Sequence, residues 1–149
     1  MRWLVEPMEE RDRPVLAAMM TDRLRMSPGC PHGLEFPEGM LPAYGVVARE
    51  RDGGPPMAAA TLLYDPAARM ALFGWLMASR KLRGRPLLEA MEAVARKVPD
   101  YAECLGARLV LSCFGRRSVN RLLDGLGWLA GDAGVETKVW GIKGGWQDG

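Results

Sequence analysis

The sequence predicts one α/β domain on a central mixed sheet, an antiparallel three-strand meander continued by a parallel βαβ unit, with helices on both faces. Three observations predict it. Apolar, strand-like runs over 44–49, 57–64 and 70–78 are separated only by Asp52-Gly53-Gly54-Pro55 and Asp65-Pro66-Ala67-Ala68, turn sequences that join neighbouring antiparallel strands. The period then becomes helical, with Leu87, Leu88, Met91, Val94, Ala95 and Val98 on one side and Glu89, Glu92, Arg96 and Lys97 opposite. The apolar run over 107–114 follows that helix, and a strand reached through a crossover helix runs parallel to the one before it. At 149 residues and 48% hydrophobic content the chain suits a single core.

In chain order, Trp3-Leu4-Val5 reads as a first strand. Asp12 is placed to cap a helix that carries Pro14 in its first turn, with Val15, Leu16, Met19, Met20 and Leu24 on one face. From 26 to 43 the text is broken by Pro and Gly. Such a segment reads either as a site-lining stretch or as an ordinary loop with one short helical turn. The helix of the βαβ unit starts near Pro86. Pro99 is expected to end or kink it, with a separate turn over 100–105 before Gly106. Ser118 is placed to cap a further helix containing Val119, Leu122, Leu123 and Leu126, which Gly127 terminates before Trp128. A last strand is expected over 135–142, where Val135, Thr137, Val139 and Gly141 alternate with Glu136, Lys138 and Trp140. The domain is therefore expected to span 1–142, with 143–149 a Gly-rich flexible tail.

Composition narrows the function. Charged residues make up 26% of the chain and the formal net charge is +2, so the molecule is not a polycation built for nonspecific nucleic-acid binding. Cys30, Cys104 and Cys113 are odd in number and scattered, and His32 is the only histidine, which argues against a disulfide framework and against a metal site. The apolar start is too short for a signal peptide and no segment has the length of a membrane span. The expectation is a cytoplasmic protein with no membrane partner.

Positive charge is concentrated at one place, Arg80-Lys81-Leu82-Arg83-Gly84-Arg85, directly before Pro86. A helix start prefers carboxylates, so four cations there oppose the helix dipole. The same place suits a bound pyrophosphate, which would accept hydrogen bonds from free N–H groups while Gly84 lets the backbone approach. The alternatives are a solvated basic turn, or a nucleic-acid contact made with Arg116, Arg117 and Arg121. Against the latter, no aromatic residues are interleaved for base stacking.

The element order, the opening Trp3-Leu4-Val5-Glu6-Pro7 followed by Asp12, the ending Leu126-Gly127-Trp128 and the loop at 80–86 together resemble the GNAT acyltransferases. Their loop reads Gln/Arg-x-x-Gly-x-Gly/Ala; here it is Lys81-x-x-Gly84-x-Pro86, with Lys and Pro as departures. The resemblance implies acetyl-CoA as acyl donor, a primary amine as acceptor and no metal. It implies a pantetheine arm along the backbone of Leu76, Met77 and Ala78, and phosphates near Lys81, Arg83, Gly84 and Arg85. Arg116 and Ser118 would complete the cofactor site from the start of the last helix, with Asn120 out of register. The family often protonates the departing thiolate with a Tyr on that helix; Leu123 stands there, leaving Ser118 or water. Glu35 and Glu38 are candidates for binding a cationic acceptor or serving as base through water. Trp75 and Trp140 are candidates for an apolar acceptor pocket. Of Ser112 and Cys113, one is expected in the core and the other toward the gap between strands, while Cys30 and His32 read as loop residues. A second reading keeps the fold without catalysis, binding CoA or a protein partner. A homodimer is compatible with either.

Overall fold

Five strands lie side by side in sequence order. They are β1 (Leu4–Pro7), β2 (Tyr44–Arg49), β3 (Pro56–Asp65), β4 (Met70–Ala78) and β5 (Leu109–Ser112). The structure is a computed structural model, and it describes residues 2–26, 35–112, 114 and 117–129. The strand expected over 135–142, the tail, and Cys30, His32, Cys113, Arg116 and Trp140 lie outside the described residues. Pairing is antiparallel from β1 to β4 and parallel between β4 and β5, as the meander and crossover required. The Asp65 carboxylate accepts from the N–H groups of Ala67 (2.9 Å) and Ala68 (3.3 Å), closing the β3–β4 turn.

Helix α1 (Arg13–Arg25) covers one face of the sheet, and α2 (Gly84–Leu105) and α3 (Arg117–Gly125) cover the other. The period-2 alternation of strands divides their side chains accordingly. Val47, Ala59 and Met77 pack with Leu16, Ala17, Met19 and Met20 of α1. Val46, Ala48, Ala58, Ala60 and Leu76 pack with Ala90, Val94, Ala95, Val98 and Ala102 of α2 and with Val119 and Leu123 of α3. Small alanines in the central strands let the helices sit close. No described helix is long and apolar enough to cross a membrane.

Four local expectations are corrected. Helix α2 is continuous through Pro99 to Leu105, because Ala102 is fully buried and the Tyr101 hydroxyl accepts from the Gly45 N–H (3.4 Å), so packing on both sides outweighs the roughly 3 kcal/mol a mid-helix proline costs. Val15 and Leu88 are exposed rather than facing the core; the buried stripes are narrower than the apolar patterns. Ser118 lies inside the first turn of α3, not at its cap. Asp12 does not cap α1.

Asp12 is held elsewhere. Its two carboxylate oxygens accept from Arg49 Nη1 (2.7 Å) and Nη2 (2.6 Å), while Arg49 Nε donates to Glu6 (2.9 Å) and Nη1 also to the Gly54 carbonyl (3.0 Å). Both Arg49 and Asp12 are buried. Burial alone would push the Asp12 carboxyl up; the Arg49 hydrogen bonds and the Glu9 N–H (2.9 Å) outweigh it and hold it below the usual range. This cluster fastens β1, β2 and the start of α1 together.

Both helices of the second face end in the same way, as Gly127 was expected to end α3. The N–H of Ala107 reaches the Ala102 carbonyl and that of Gly106 the Glu103 carbonyl; Trp128 reaches Leu123 and Gly127 reaches Asp124. With Gly106 at φ 105° and Gly127 at φ 90°, these are Schellman endings.

Candidate functional site

The site is created by a mismatch in strand length. Strand β5 pairs with only the start of β4, from Met70↔Leu109 to Phe73↔Ser112. Beyond Phe73 the register with β3 slips, so that Phe73 opposes Leu62, Trp75 opposes Thr61, and Gly74 is the extra residue. A bulge bends the strand that carries it, and residues 74–78 run on without a β5 neighbour among the described residues. The far end of β4 stays anchored to β3, since the Ser79 N–H donates to the Met57 carbonyl (2.7 Å). Backbone groups alternate sides along an antiparallel ladder, so with Ser79 and Met77 turned to β3, those of Leu76 and Ala78 face the open edge. In agreement, the Leu76 carbonyl accepts from Arg23 of α1 at 2.9 Å.

The open edge leads into the basic loop. Ser79, which the sequence reading passed over, shapes it: its carbonyl accepts from the Leu82 N–H (3.1 Å) and its hydroxyl from the Lys81 N–H (3.2 Å). A Ser directly before a basic pair, able to accept from the N–H two residues on, is the turn signal that could have found it. Leu82 is buried and pins the loop to the core. Arg83 is extended at φ −142°, and Gly84 opens α2 at φ 61°, a conformation costly for any other residue. A β-carbon at Gly84 would meet nothing within 4 Å, so the approach to this helix start is clear. No side chain caps α2 and its first turn contains no acid. Pro86 contributes no N–H there.

Lys81, Arg83, Gly84 and Arg85 are all exposed. Arg85 pairs with Glu89 (2.7 Å) and Arg80 with Asp22 of α1 (3.8 Å), exposed contacts of small energetic weight. Because β4 and β5 are parallel, α2 and α3 both start at the carboxyl ends of their strands, where open α/β sheets bind ligands. Ser118 is exposed in the first turn of α3, and Asn120 Nδ2 donates to the Phe114 carbonyl (2.8 Å), closing the turn rather than facing a ligand. Leu123 is 3% exposed, filling with hydrocarbon the place where the resemblance implies a tyrosine acid.

The remaining candidates are divided. Phe36 is buried and meets Trp75 of β4 edge-on at 5.2 Å, so the chain at Glu35 approaches the bulge from the α1 face. Arg13 donates to the carbonyls of Glu38 (3.2 Å), Leu41 (3.0 Å) and Pro42 (3.0 Å), tying that stretch to the start of α1. Both glutamates are exposed. Among the described residues no group of three His, Cys, Asp or Glu side chains is placed to hold a metal.

No family model matches the sequence, and no curated protein does. Solved structures do. YncA of Salmonella typhimurium, solved with its cofactor acetyl-CoA, aligns over 94% of this chain and 89% of its own at 12% identity and a TM-score of 0.66. An aminoglycoside acetyltransferase from an uncultured soil metagenomic sample, in complex with sisomicin, aligns over 94% and 97% at 12% identity and a TM-score of 0.65. YhbS of Escherichia coli, a GNAT family N-acetyltransferase in complex with CoA, aligns over 82% and 68% at 17% identity and a TM-score of 0.56. With the mixed sheet, its bulged fourth strand and the flanking helices already in view, these likenesses lead to one conclusion: this protein, divergent in sequence, has the GNAT fold.

Proposed function

We propose that the protein transfers an acetyl group from acetyl-CoA to a primary amine of a small molecule or protein, by direct attack and without a covalent enzyme intermediate. The observation that carries the reading is the continuity of the open β4 edge with an uncapped, acid-free helix start ringed by Lys81, Arg83 and Arg85. Phosphates of the donor would sit at Gly84, where backbone N–H groups, the helix dipole and the cations act together. Arg116 and Ser118 would close the site from the start of α3. The pantetheine arm would lie along Leu76, Met77 and Ala78, using the edge-facing N–H and carbonyl groups of Leu76 and Ala78. The acetyl-CoA and CoA held by two of the similar structures support the choice of donor. The aminoglycoside complex makes a polyamine-like small molecule a reasonable first acceptor to try.

Chemically, the amine lone pair attacks the thioester carbon and the carbon–sulfur bond breaks. Sulfur leaves with the bonding electrons, and the amine proton passes to water or a base. Edge N–H groups of β4 stabilise the oxygen as charge develops on it. Of the two glutamates, Glu35 is the better placed base for taking the amine proton through water, because Phe36 beside it packs against Trp75 of β4.

One observation favours a second reading, a CoA-binding domain without transfer: Leu123 is sealed into the core where a proton donor would stand, and Pro86 removes one N–H from the phosphate site. Calorimetric titration with CoA and acetyl-CoA, followed by thiol release in the presence of a panel of primary amines including sisomicin, separates the two. Binding with amine-dependent thiol release is the expected result. Binding without release selects the second reading, and no binding of either ligand rejects both.

A further inference from the structure

We propose that Arg23 is the cation that stabilises the departing CoA thiolate, replacing an acid on α3 with a fixed charge supplied from α1. The inference rests on the donor site just described and assigns its missing leaving-group function.

Three observations converge on this residue. Arg23 lies in the last turn of α1 and its Nη1 donates to the Leu76 carbonyl at 2.9 Å, so the guanidinium stands at the open edge of β4. Leu76 is located between the bulge at Gly74, where the β5 ladder has just ended, and the loop leading to Gly84. An acyl donor whose phosphates lie at Gly84 must run back along this edge, and the rising β5 ladder at Phe73 limits how far it can go. Its thioester therefore falls along residues 74–76, beside Arg23. Finally, Leu123 is 3% exposed, so α3 offers hydrocarbon at the place of the usual proton donor.

A guanidinium suits this task as a charge and not as an acid, because it does not deprotonate in proteins. A thiol with a reference pKa of about 8.5 is a modest base, so its anion can depart near neutral pH if a cation lies close by. The electron pair of the broken carbon–sulfur bond stays on sulfur, opposite the guanidinium, and no proton need be delivered in that step. The Asp22–Arg80 contact (3.8 Å) shows that the same turn of α1 lies beside the phosphate loop.

The test is the ionisation of the CoA thiol in the bound state, followed by the ultraviolet absorbance of the thiolate in the native protein and in Arg23→Ala, Arg23→Gln and Arg23→Lys. Gln retains an N–H donor for the Leu76 carbonyl and removes the charge; Lys retains the charge. If Arg23 acts as a charge, the bound thiol in the Ala and Gln variants needs a pH about one unit higher to ionise, roughly a tenfold smaller thiolate fraction at a given pH below the native midpoint. Lys should restore most of it. Amine-dependent kcat should fall in the same order with KM for acetyl-CoA little changed. Equal thiol ionisation in native, Ala and Gln proteins that all bind CoA overturns the assignment while leaving the donor site standing. A Gln variant indistinguishable from native reduces Arg23 to a structural bond, and failure of the native protein to bind CoA removes both proposals together.

Discussion

Two arginine-rich regions of this molecule behave in opposite ways. Around Arg49 four of the five guanidinium N–H donors are answered from within the fold, by Asp12, Glu6 and the Gly54 carbonyl, and the side chain is buried from water. Around residues 80–85 the cations are exposed, two of them meet half-buried carboxylates at the surface, and the helix they introduce has no side-chain cap. The same side chain thus serves as a rivet in one place and as a solvent-facing, weakly paired charge in the other. What separates them is the presence of anions in the sequence that the fold can bring close: Glu6 and Asp12 reach Arg49 across β1 and β2, whereas the first turn of α2 contains no acid. A helix start without an acid is electrostatically incomplete, and an external anion completes it.

The comparison breaks most sharply at Asp12. Asp12→Asn leaves Arg49 buried with only the Glu6 carboxylate, and removing one partner of a buried pair costs about 3–5 kcal/mol. The denaturant midpoint should fall accordingly. A loss under 1 kcal/mol would mean that the cluster is not the rivet described. At the loop the substitutions should act in reverse, on binding and not on folding. Arg83→Ala with Arg85→Ala should weaken CoA by about 1.5 kcal/mol per residue, the low end for exposed charge-assisted bonds and roughly a hundredfold together. Stability should stay within about 0.5 kcal/mol. Pantetheine, which lacks the phosphates, should bind the double variant as it binds the native protein, and equal weakening of both ligands moves the phosphate site elsewhere.

Acid sharpens the contrast further. The Asp12 carboxyl is held below its unfolded value of about 3.9. A depressed carboxylate stabilises the fold at pH values above the unfolded pKa and loses that contribution as pH falls through the lower folded value. Denaturant midpoints measured on descending pH should therefore drop below about pH 4 in the native protein and drop less in Asp12→Asn. The smallest effect is expected from Glu89→Gln, which removes an exposed i,i+4 pair with Arg85 worth about 0.3–0.5 kcal/mol. CoA affinity should hold or rise slightly, since Arg85 loses an internal competitor.

Local pattern was enough for the elements that carry their own instructions. The meander and its turns, the parallel crossover, the start of α2 near the basic run and the glycine ending of α3 were readable because period, turn chemistry and charge are written over short stretches of chain. The edge at Leu76, Met77 and Ala78 was readable only as a position implied by a resemblance, because its chemistry is backbone chemistry and no side chain announces it. Other features depended on what the fold brings together. Pro99 sits inside a helix because Tyr101 and Ala102 are anchored in the core beyond it. Asp12 left the cap for Arg49, thirty-seven residues away, because a buried guanidinium gains more from a carboxylate than an exposed helix end does. Arg23 meets Leu76 across fifty-three residues, a contact that exists only because α1 lies over the sheet and β5 stops short of it. Sequence alone determines what each segment can form; tertiary structure decides which distant charge each polar group will meet, because those energies depend on burial and distance, and neither is local.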